Sequence, residues 1–387
     1  MTSVRFDFAT ANRILFGEGV LEQAGSIASN YGHQVLVVTG GSIERVQPLI
    51  DLLEREQIEV TTFSMPDEPT VELTKEGLAL AQSMRAELVI GFGGGSAIDA
   101  GKAIAALFTN GDDPLEFLEV IGAGKPLLHD PLPYIAIPTT AGTGSEVTRN
   151  AVLASKEHQV KVSLRSAKMI PDVALIDPRL TYSVPPEVTA YTGMDALTQV
   201  IEPYLTRRRN PFTDAFAKQG MLRGAGTLVR AYQNGDDQEA RRQMAYTSLM
   251  GGLSLANAGL GAAHGFAGPF GGLFDAPHGA ICAALLPHVM HVNLLRAREN
   301  NEDQDLLKRF DEVAGFLTGA PHASAEDGVQ WLLSLSETLE IPPLREYGFE
   351  REDFSQLIEK ASVSSSMKGN PIELSEADMA TILELAM

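Results

Sequence analysis

GFGGGSAID, residues 91–99, decides the fold. The run before it, ELVI (87–90), is apolar and β-branched, and AIDAGKAIAALFTN (97–110) repeats apolar residues at helical spacing, so three glycines stand at a strand-to-helix corner. Without side chains at Gly93, Gly94 and Gly95, bare backbone N–H groups and the positive end of a helix face outward together, which suits a diphosphate. The stretch matches neither GxGxxG nor the GxxxxGK pattern of nucleotide triphosphatases. Ser96 beside the glycines favours phosphate binding over a bare tight turn.

Outward from this corner the chain alternates. QVLVVTGG (34–41), IEVTTFSM (58–65), ELVIGFG (87–93), PYIAIPTT (133–140) and DVALIDP (172–178) read as strands, with helical patterns over 42–57, 72–86 and 97–110 between the earlier ones. Such alternation predicts a parallel, Rossmann-like sheet wrapped by helices. After residue 178 the strands are expected to stop. DPRLTYSVPPE supplies a proline-rich junction near 180, and from Pro185 onward the pattern is helical, with long helices predicted over 214–233 and 239–259. The expected organisation is an α/β domain over 1–180 and an all-α domain over 181–387.

Two further loops follow strands. PTTAGTGSEVT (138–148) offers Thr139, Thr140 and Thr143 as cofactor contacts and Ser145 as a helix cap. At the first strand-to-helix corner, VVTGGSIERV (37–46), an acid would bind the adenosine ribose and repel a 2′-phosphate. Gly40, Gly41 and Ser42 stand there instead, with Arg45 one turn on, which leans toward NADP(H) over NAD(H). The alternative for Arg45 is a solvent-facing side chain.

Composition bounds the rest. The chain has 387 residues, 44% hydrophobic and 21% charged, enough for two cored domains. With 50 acidic against 30 basic residues the net charge is −20, which disfavours nucleic acid as a partner. Arg207, Arg208 and Arg209 form the one basic run and read as a solvated helix end. Cys282 is the sole cysteine, so no internal disulfide forms, and a cytoplasmic setting is expected. The amino-terminal residues lack a signal-peptide pattern, and no run of about 18 uninterrupted apolar residues argues for a membrane span.

GAAHGFAGPFGGLFDAPHGAICAALLPHVMHVN (261–293) holds four of the eight histidines. His264 and His278 each precede a glycine, and the glycine-rich segment between them allows one to fold back beside the other. On a separate predicted helix, DALTQVIEPY (195–204) places Asp195 and Gln199 one turn apart. Together Asp195, His264 and His278 make a set suited to Zn²⁺ or Fe²⁺ with an open position. Phe266, Phe270 and Phe274 read either as the lining of a partly apolar pocket or as helical core.

GGGSAIDAGKA, IPTTAGTGSEVT, GMDALTQVIEPY and AAHGFAGPFGG…APHG, in this order and spacing, resemble the iron-containing (group III) alcohol dehydrogenase family over essentially the whole chain. The resemblance implies an NAD(P)-binding domain, a helical metal-binding domain, reversible oxidation of a small alcohol, and a homodimer or larger homo-oligomer. It assigns Gly93, Gly94, Gly95, Ser96 and Asp99 to the cofactor diphosphate and Thr139, Thr140 and Thr143 to the rest of the cofactor. Metal ligands fall on Asp195, Gln199, His264 and His278, through which the catalytic role of Asp195, His264 and His278 would be exerted. Many members carry histidine where Gln199 stands, and some carry one at the position of Gly268. A neutral amide is a weak ligand for Fe²⁺. Related glycerol dehydrogenases are understood to bind zinc with an Asp/His/His set, so Gln199 is a distant ligand, a partner of metal-bound water, or a spectator. Three other readings stand beside this one: a dehydroquinate synthase-like lyase, a metal-independent reductase related to maleylacetate reductase, and a nucleotide sensor without metal.

Overall fold

The computed structural model describes residues 5–300 and 304–387. Residues 9–140 and 144–182 make one compact unit; residues 183–387, with 141–143 and the described residues up to Phe8, make the other.

The first unit runs β1 (Arg13–Phe16), α1 (Ala24–Ala28), β2 (Gln34–Thr39), α2 (Ile43–Arg55), β3 (Glu59–Ser64), α3 (Val71–Ser83), β4 (Leu88–Gly93), α4 (Gly95–Asn110), β5 (Tyr134–Pro138), β6 (Asn150–Ser155), β7 (Val160–Arg165) and β8 (Val173–Ile176). Among the described residues six strands form one parallel sheet in the order β1-β8-β5-β4-β2-β3. The central strands are apolar on both sides because helices cover both faces. Along β2 the split is visible: Val35 and Val37 face a core with Leu49 and Leu53 of α2, whereas Leu36 and Val38 face one with Ile98 and Ile104 of α4. The edge strands β1 and β3 are partly exposed.

From β2 the chain moves to β3 at one edge, then returns to β4 and on to β5 and β8 at the other side. The direction of winding therefore reverses between β2 and β4, and the carboxyl ends of strands at such a reversal form a ligand crevice. Register fixes what lies there. Thr39 pairs with Phe92 and Gly93 with Pro138, so the segments after these residues emerge side by side.

Two features depart from the sequence expectation. A β6–β7 antiparallel hairpin lies between β5 and β8, turning at Lys156–Gln159 with Gln159 in the left-handed region (φ 50°). Its strands are short and alternate buried with half-exposed residues, and Ala151, Leu153, Val162 and Leu164 cover Ala103, Ala106 and Leu107 of α4. β1, four residues long, also escaped recognition because so short a run carries little periodicity.

The second unit is helical: α5 (Pro186–Leu205), α6 (Pro211–Gly224), α7 (Leu228–Gln233), α8 (Gln238–Ala258), α9 (Ala262–Leu273), α10 (His278–Asn300), α11 (Gln304–Thr318), α12 (Ala325–Thr338), α13 (Phe354–Ser362) and α14 (Glu376–Ala386). The single helix expected over 214–233 is two, α6 and α7. Gly224 and Gly226 flank the break, where glycine's backbone freedom disfavours helix, and the Thr227 N–H donates to the Gly224 carbonyl. α10 is long and apolar enough to cross a bilayer by composition, yet 78% of its most apolar stretch is buried inside the protein, packed on α5, α9, α12 and α14. Phe266 and Phe270 are fully buried, and Phe270 forms with Phe274, Phe349 and Phe354 an aromatic cluster of ring separations 4.8–5.4 Å. Phe266 and Phe270 are core, and half-buried Phe274 packs against it.

Candidate metal centre and cofactor loops

Asp195, Gln199 and Glu202 lie at i, i+4 and i+7 of α5, which puts them on one face. All three are buried, at 2%, 2% and 5% exposure. Such a stripe of polar groups on a buried face demands partners.

The amino end of α9 supplies them. Glu202 Oε1 accepts the Ala263 backbone N–H at 2.7 Å, capping the helix from a neighbour, and Glu202 Oε2 receives His264 Nδ1 at 2.8 Å. With Nδ1 protonated and donating, the His264 lone pair sits on Nε2, which stands 3.2 Å from Asp195 Oδ1 without hydrogen-bond alignment. His278, the first residue of α10, brings its ring within 5.4 Å of the His264 ring and its Nε2 to 3.9 Å from Asp195 Oδ1. One turn further along α10, Cys282 Sγ lies 3.7 Å from His278 Nε2. The ligand atoms of Asp195, His264, His278 and Cys282 are all within 4.8 Å of one another.

The glycines after the two histidines have a packing reason. A Cβ at Gly279 would sit 2.4 Å from the Tyr191 carbonyl oxygen on α5, and one at Gly265 would press on Met367 at 3.1 Å. Only a bare backbone lets the start of α10 approach α5 closely enough to place His278 beside Asp195.

Whether these residues suit a cation is a matter of donors and charge. Asp195 Oδ1, Gln199 Oε1 and His264 Nε2 are buried polar atoms with no hydrogen-bond partner, a costly arrangement unless something positive, a proton or a metal ion, completes it. Burial works against the Asp195 carboxylate, but the adjoining His264 and His278 rings and the Gln199 amide outweigh it and hold the carboxyl below its usual range. Burial likewise disfavours the His264 imidazolium, yet Cys282, Asp195 and Glu202 around it push its pKa well above the ordinary value. The pocket thus draws positive charge. His278, with its side chain 37% exposed, is the open side. The residues fit a divalent metal.

Glu202 and Cys282 were not among the residues singled out from sequence as ligands or their supports. For Cys282 the signal was its spacing of four from His278, and for Glu202 its spacing of three from Gln199.

On the sheet, Gly94 caps α4 in extended conformation with no side-chain hydrogen bond, so Gly95 and Ser96 begin the helix with their N–H groups uncapped by a side chain. Thr139 N–H donates to the Gly93 carbonyl at 2.8 Å, and a Cβ on Gly94 would lie 3.5 Å from Thr140 Oγ1. Nothing lies within 4 Å of a Cβ built on Gly40, while Gly41 adjoins Pro66. The structure brings Gly40, Gly41 and Ser42 together with Gly93, Gly94, Gly95, Ser96, Thr139 and Thr140 at adjacent strand ends. Thr143 falls in the 141–143 segment, which belongs to the helical unit, where Gly142 abuts Thr192.

Asp99 points elsewhere. One carboxylate oxygen meets Ser145 Oγ and lies 3.2 Å from Lys102 Nζ; the other accepts the Val152 N–H of β6 at 2.9 Å. Ser145 therefore does not cap a helix; a short 3₁₀ turn starts at it, with Gly144 as the preceding cap. Burial depresses the Lys102 pKa, countered in part by Asp99 and Glu146, and the ammonium donates to the Ser145 carbonyl and Thr148 Oγ1, both at 2.9 Å. This cluster clamps the threonine loop to α4 and the hairpin. Arg45 is tethered as well, donating to the Leu180 carbonyl at 3.2 Å. Arg207 donates to the Pro371 carbonyl and Arg209 to Asp305, so the basic run ties the end of α5 to neighbouring segments.

Comparison with known proteins settles the family. The profile described as iron-containing alcohol dehydrogenase matches residues 11–178, and that of the Fe-containing alcohol dehydrogenase family, C-terminal, matches residues 189–387. The chain belongs to the iron-containing alcohol dehydrogenase family. It is 35% identical to alcohol dehydrogenase 4 of Saccharomyces cerevisiae over 96% of each chain, and 34% identical to 1,3-propanediol dehydrogenase of Klebsiella pneumoniae over 98% of each. A crystal structure of a 1,3-propanediol oxidoreductase superposes with a TM-score of 0.92 at 32% identity, covering 99% of this chain and all of the other. As a member of this family the chain is an oxidoreductase of the alcohol dehydrogenase type, and the family binds a metal and NAD(P).

Proposed function

We propose that the chain is a metal-dependent alcohol dehydrogenase or aldehyde reductase that favours NADP(H), with Asp195, His264 and His278 as metal ligands and Gln199 in a supporting role. The observation that carries this reading is the convergence of buried, partnerless polar atoms of Asp195, Gln199 and His264 beside His278. When bound, the metal supplies Lewis acidity that lowers an alcohol's pKa or polarises a carbonyl, and the nicotinamide supplies or takes up the hydride.

This chain's residues do the positioning. Glu202 holds the Nδ1 proton of His264 and thereby keeps Nε2 available as a donor atom. The Gln199 amide, one turn along α5, helps to hold the Asp195 carboxyl in its charged form. In the α/β domain the N–H groups at Gly95 and Ser96 would receive the cofactor diphosphate, with Gly93 and Gly94 beside it, and Thr139 and Thr140 would contact the rest of the cofactor. Asp99 acts on the cofactor indirectly, by holding the threonine loop. Gly40, Gly41 and Ser42 face the adenosine end, where the absence of an acid leaves room for a 2′-phosphate. Residues 181–387 carry metal and substrate.

The substrate class is a small alcohol or aldehyde, the metal Fe²⁺ or Zn²⁺, the setting cytoplasmic, and the assembly a homodimer or larger. The test is metal content by mass spectrometry of the purified protein, with NADPH- and NADH-dependent aldehyde reduction before and after chelation. About one metal per chain and loss of activity on its removal support the reading. Full activity of metal-free protein would instead favour the maleylacetate reductase-like alternative.

A further inference from the structure

The ligand set inferred from sequence leaves one weak member, Gln199, and overlooks one strong donor nearby. Cys282 is fully buried and lies on the same face of α10 as His278, four residues on. A buried lone thiol is ordinarily a small apolar side chain. This one faces polar atoms instead: Sγ is 3.7 Å from His278 Nε2 and within 4.8 Å of the donor atoms of Asp195 and His264.

The separations can be compared with what a tetrahedral zinc needs. Metal–sulfur and metal–nitrogen bonds of about 2.3 and 2.05 Å put S and N about 3.6 Å apart, and N and O about 3.4 Å apart. The observed edges are 3.7 Å for Cys282 Sγ to His278 Nε2, and 3.2 and 3.9 Å from Asp195 Oδ1 to His264 Nε2 and His278 Nε2. Side chains meeting only for apolar packing have no reason to adopt those edges. The second observation is independent of the cysteine: Asp195 Oδ1 and His264 Nε2, each on a residue more than nine-tenths buried, lack any hydrogen-bond partner at this point.

We propose that Cys282 is a metal ligand, a thiolate that completes an Asp195/His264/His278/Cys282 set and takes the place that Gln199 fills poorly. The inference rests on the metal-dependent reading above. On binding, the thiol gives its proton to solvent and sulfur donates an electron pair to the divalent ion, so one proton is released per thiolate–metal bond. A soft thiolate beside two imidazoles selects zinc over ferrous iron, whose preference is for imidazole and carboxylate. The consequence is a zinc enzyme within an iron-named family.

The experiment uses the full-length protein, stripped of metal and reloaded with Co²⁺. Because Cys282 is the sole cysteine, any thiolate-to-cobalt charge-transfer band in the near ultraviolet belongs to it. The expected result is one cobalt per chain with that band in the wild type, and loss of the band in Cys282→Ser with cobalt still bound. Zinc affinity should fall at least tenfold in both Cys282→Ser and Cys282→Ala. One cobalt per chain without the band would overturn the thiolate ligand and leave the Asp/His/His site standing; so would a band that persists in Cys282→Ser. Failure of the wild type to take up cobalt or zinc at all would overturn both. The wild-type spectrum decides even where a variant folds poorly.

Discussion

Replacing Glu202 with Gln tests how the centre is held. In the wild type the carboxylate accepts two buried hydrogen bonds, from His264 Nδ1 at 2.8 Å and from the Ala263 N–H at 2.7 Å. Glutamine keeps the shape but has one acceptor oxygen, so its amide must turn its NH₂ toward one of the two donors. If it faces His264, the imidazole relieves the conflict by moving its proton to Nε2, the atom that must be free to bind metal. If it faces Ala263, the end of α9 loses its cap. Hydrogen bonds to charged groups contribute about 1.5–3 kcal/mol each, and loss of a carboxylate that orients a ligating histidine costs about 10–100-fold in metal affinity. Glu202→Gln should therefore weaken zinc binding by about 1.4–2.7 kcal/mol, as a tenfold change is 1.4 kcal/mol. Glu202→Ala, which leaves both donors unpaired, should also destabilise the metal-free protein by about 3–6 kcal/mol. Zinc competition against a fluorescent chelator, with thermal unfolding of apo and zinc-loaded forms, reads both quantities. Zinc affinity within about threefold of wild type in Glu202→Gln, with an unchanged apo melting temperature, would refute the argument that Glu202 fixes the His264 proton.

Asp195→Ala should abolish stoichiometric metal binding and aldehyde reduction together; retained turnover in thoroughly chelated variant would remove the metal from the mechanism. Gly279→Ala places a Cβ 2.4 Å from the Tyr191 carbonyl oxygen, so α10 must shift away from α5. It should cost about 1–3 kcal/mol and lower metal affinity in parallel, measured by denaturant unfolding and zinc competition. Glu146 is buried and burial lifts its carboxyl to about 7, with Lys102 only partly opposing. A folded-state pKa above the unfolded value means that its stability contribution is complete below about 4.5 and is lost as pH rises through about 7. The wild type should lose up to about 3 kcal/mol between pH 5 and pH 8 that Glu146→Gln does not lose, at 1.36 kcal/mol per pKa unit. Equal pH slopes for the two proteins would show that Glu146 is not held in this state.

Sequence alone determined the parallel sheet, because β2, β4, β5 and β8 are buried on both faces and so read as apolar runs, the first three ending in glycines or hydroxyls. It also determined the helical second half, and it selected Asp195, His264 and His278 through the resemblance of their motifs. Tertiary structure decided what spacing cannot carry. Glu202 and Cys282 looked like an ordinary helical acid and a lone thiol until α5, α9 and the start of α10 were packed together, since Glu202 meets a histidine 62 positions away and Cys282 an aspartate on another helix. The β6–β7 hairpin escaped because half-exposed strands of six residues carry weak patterns, and Asp99 became a clamp only when Ser145 and Val152 came to it. Phe266 and Phe270 joined the core for the same reason: periodicity tells which face of a helix is apolar, and only packing tells what that face covers.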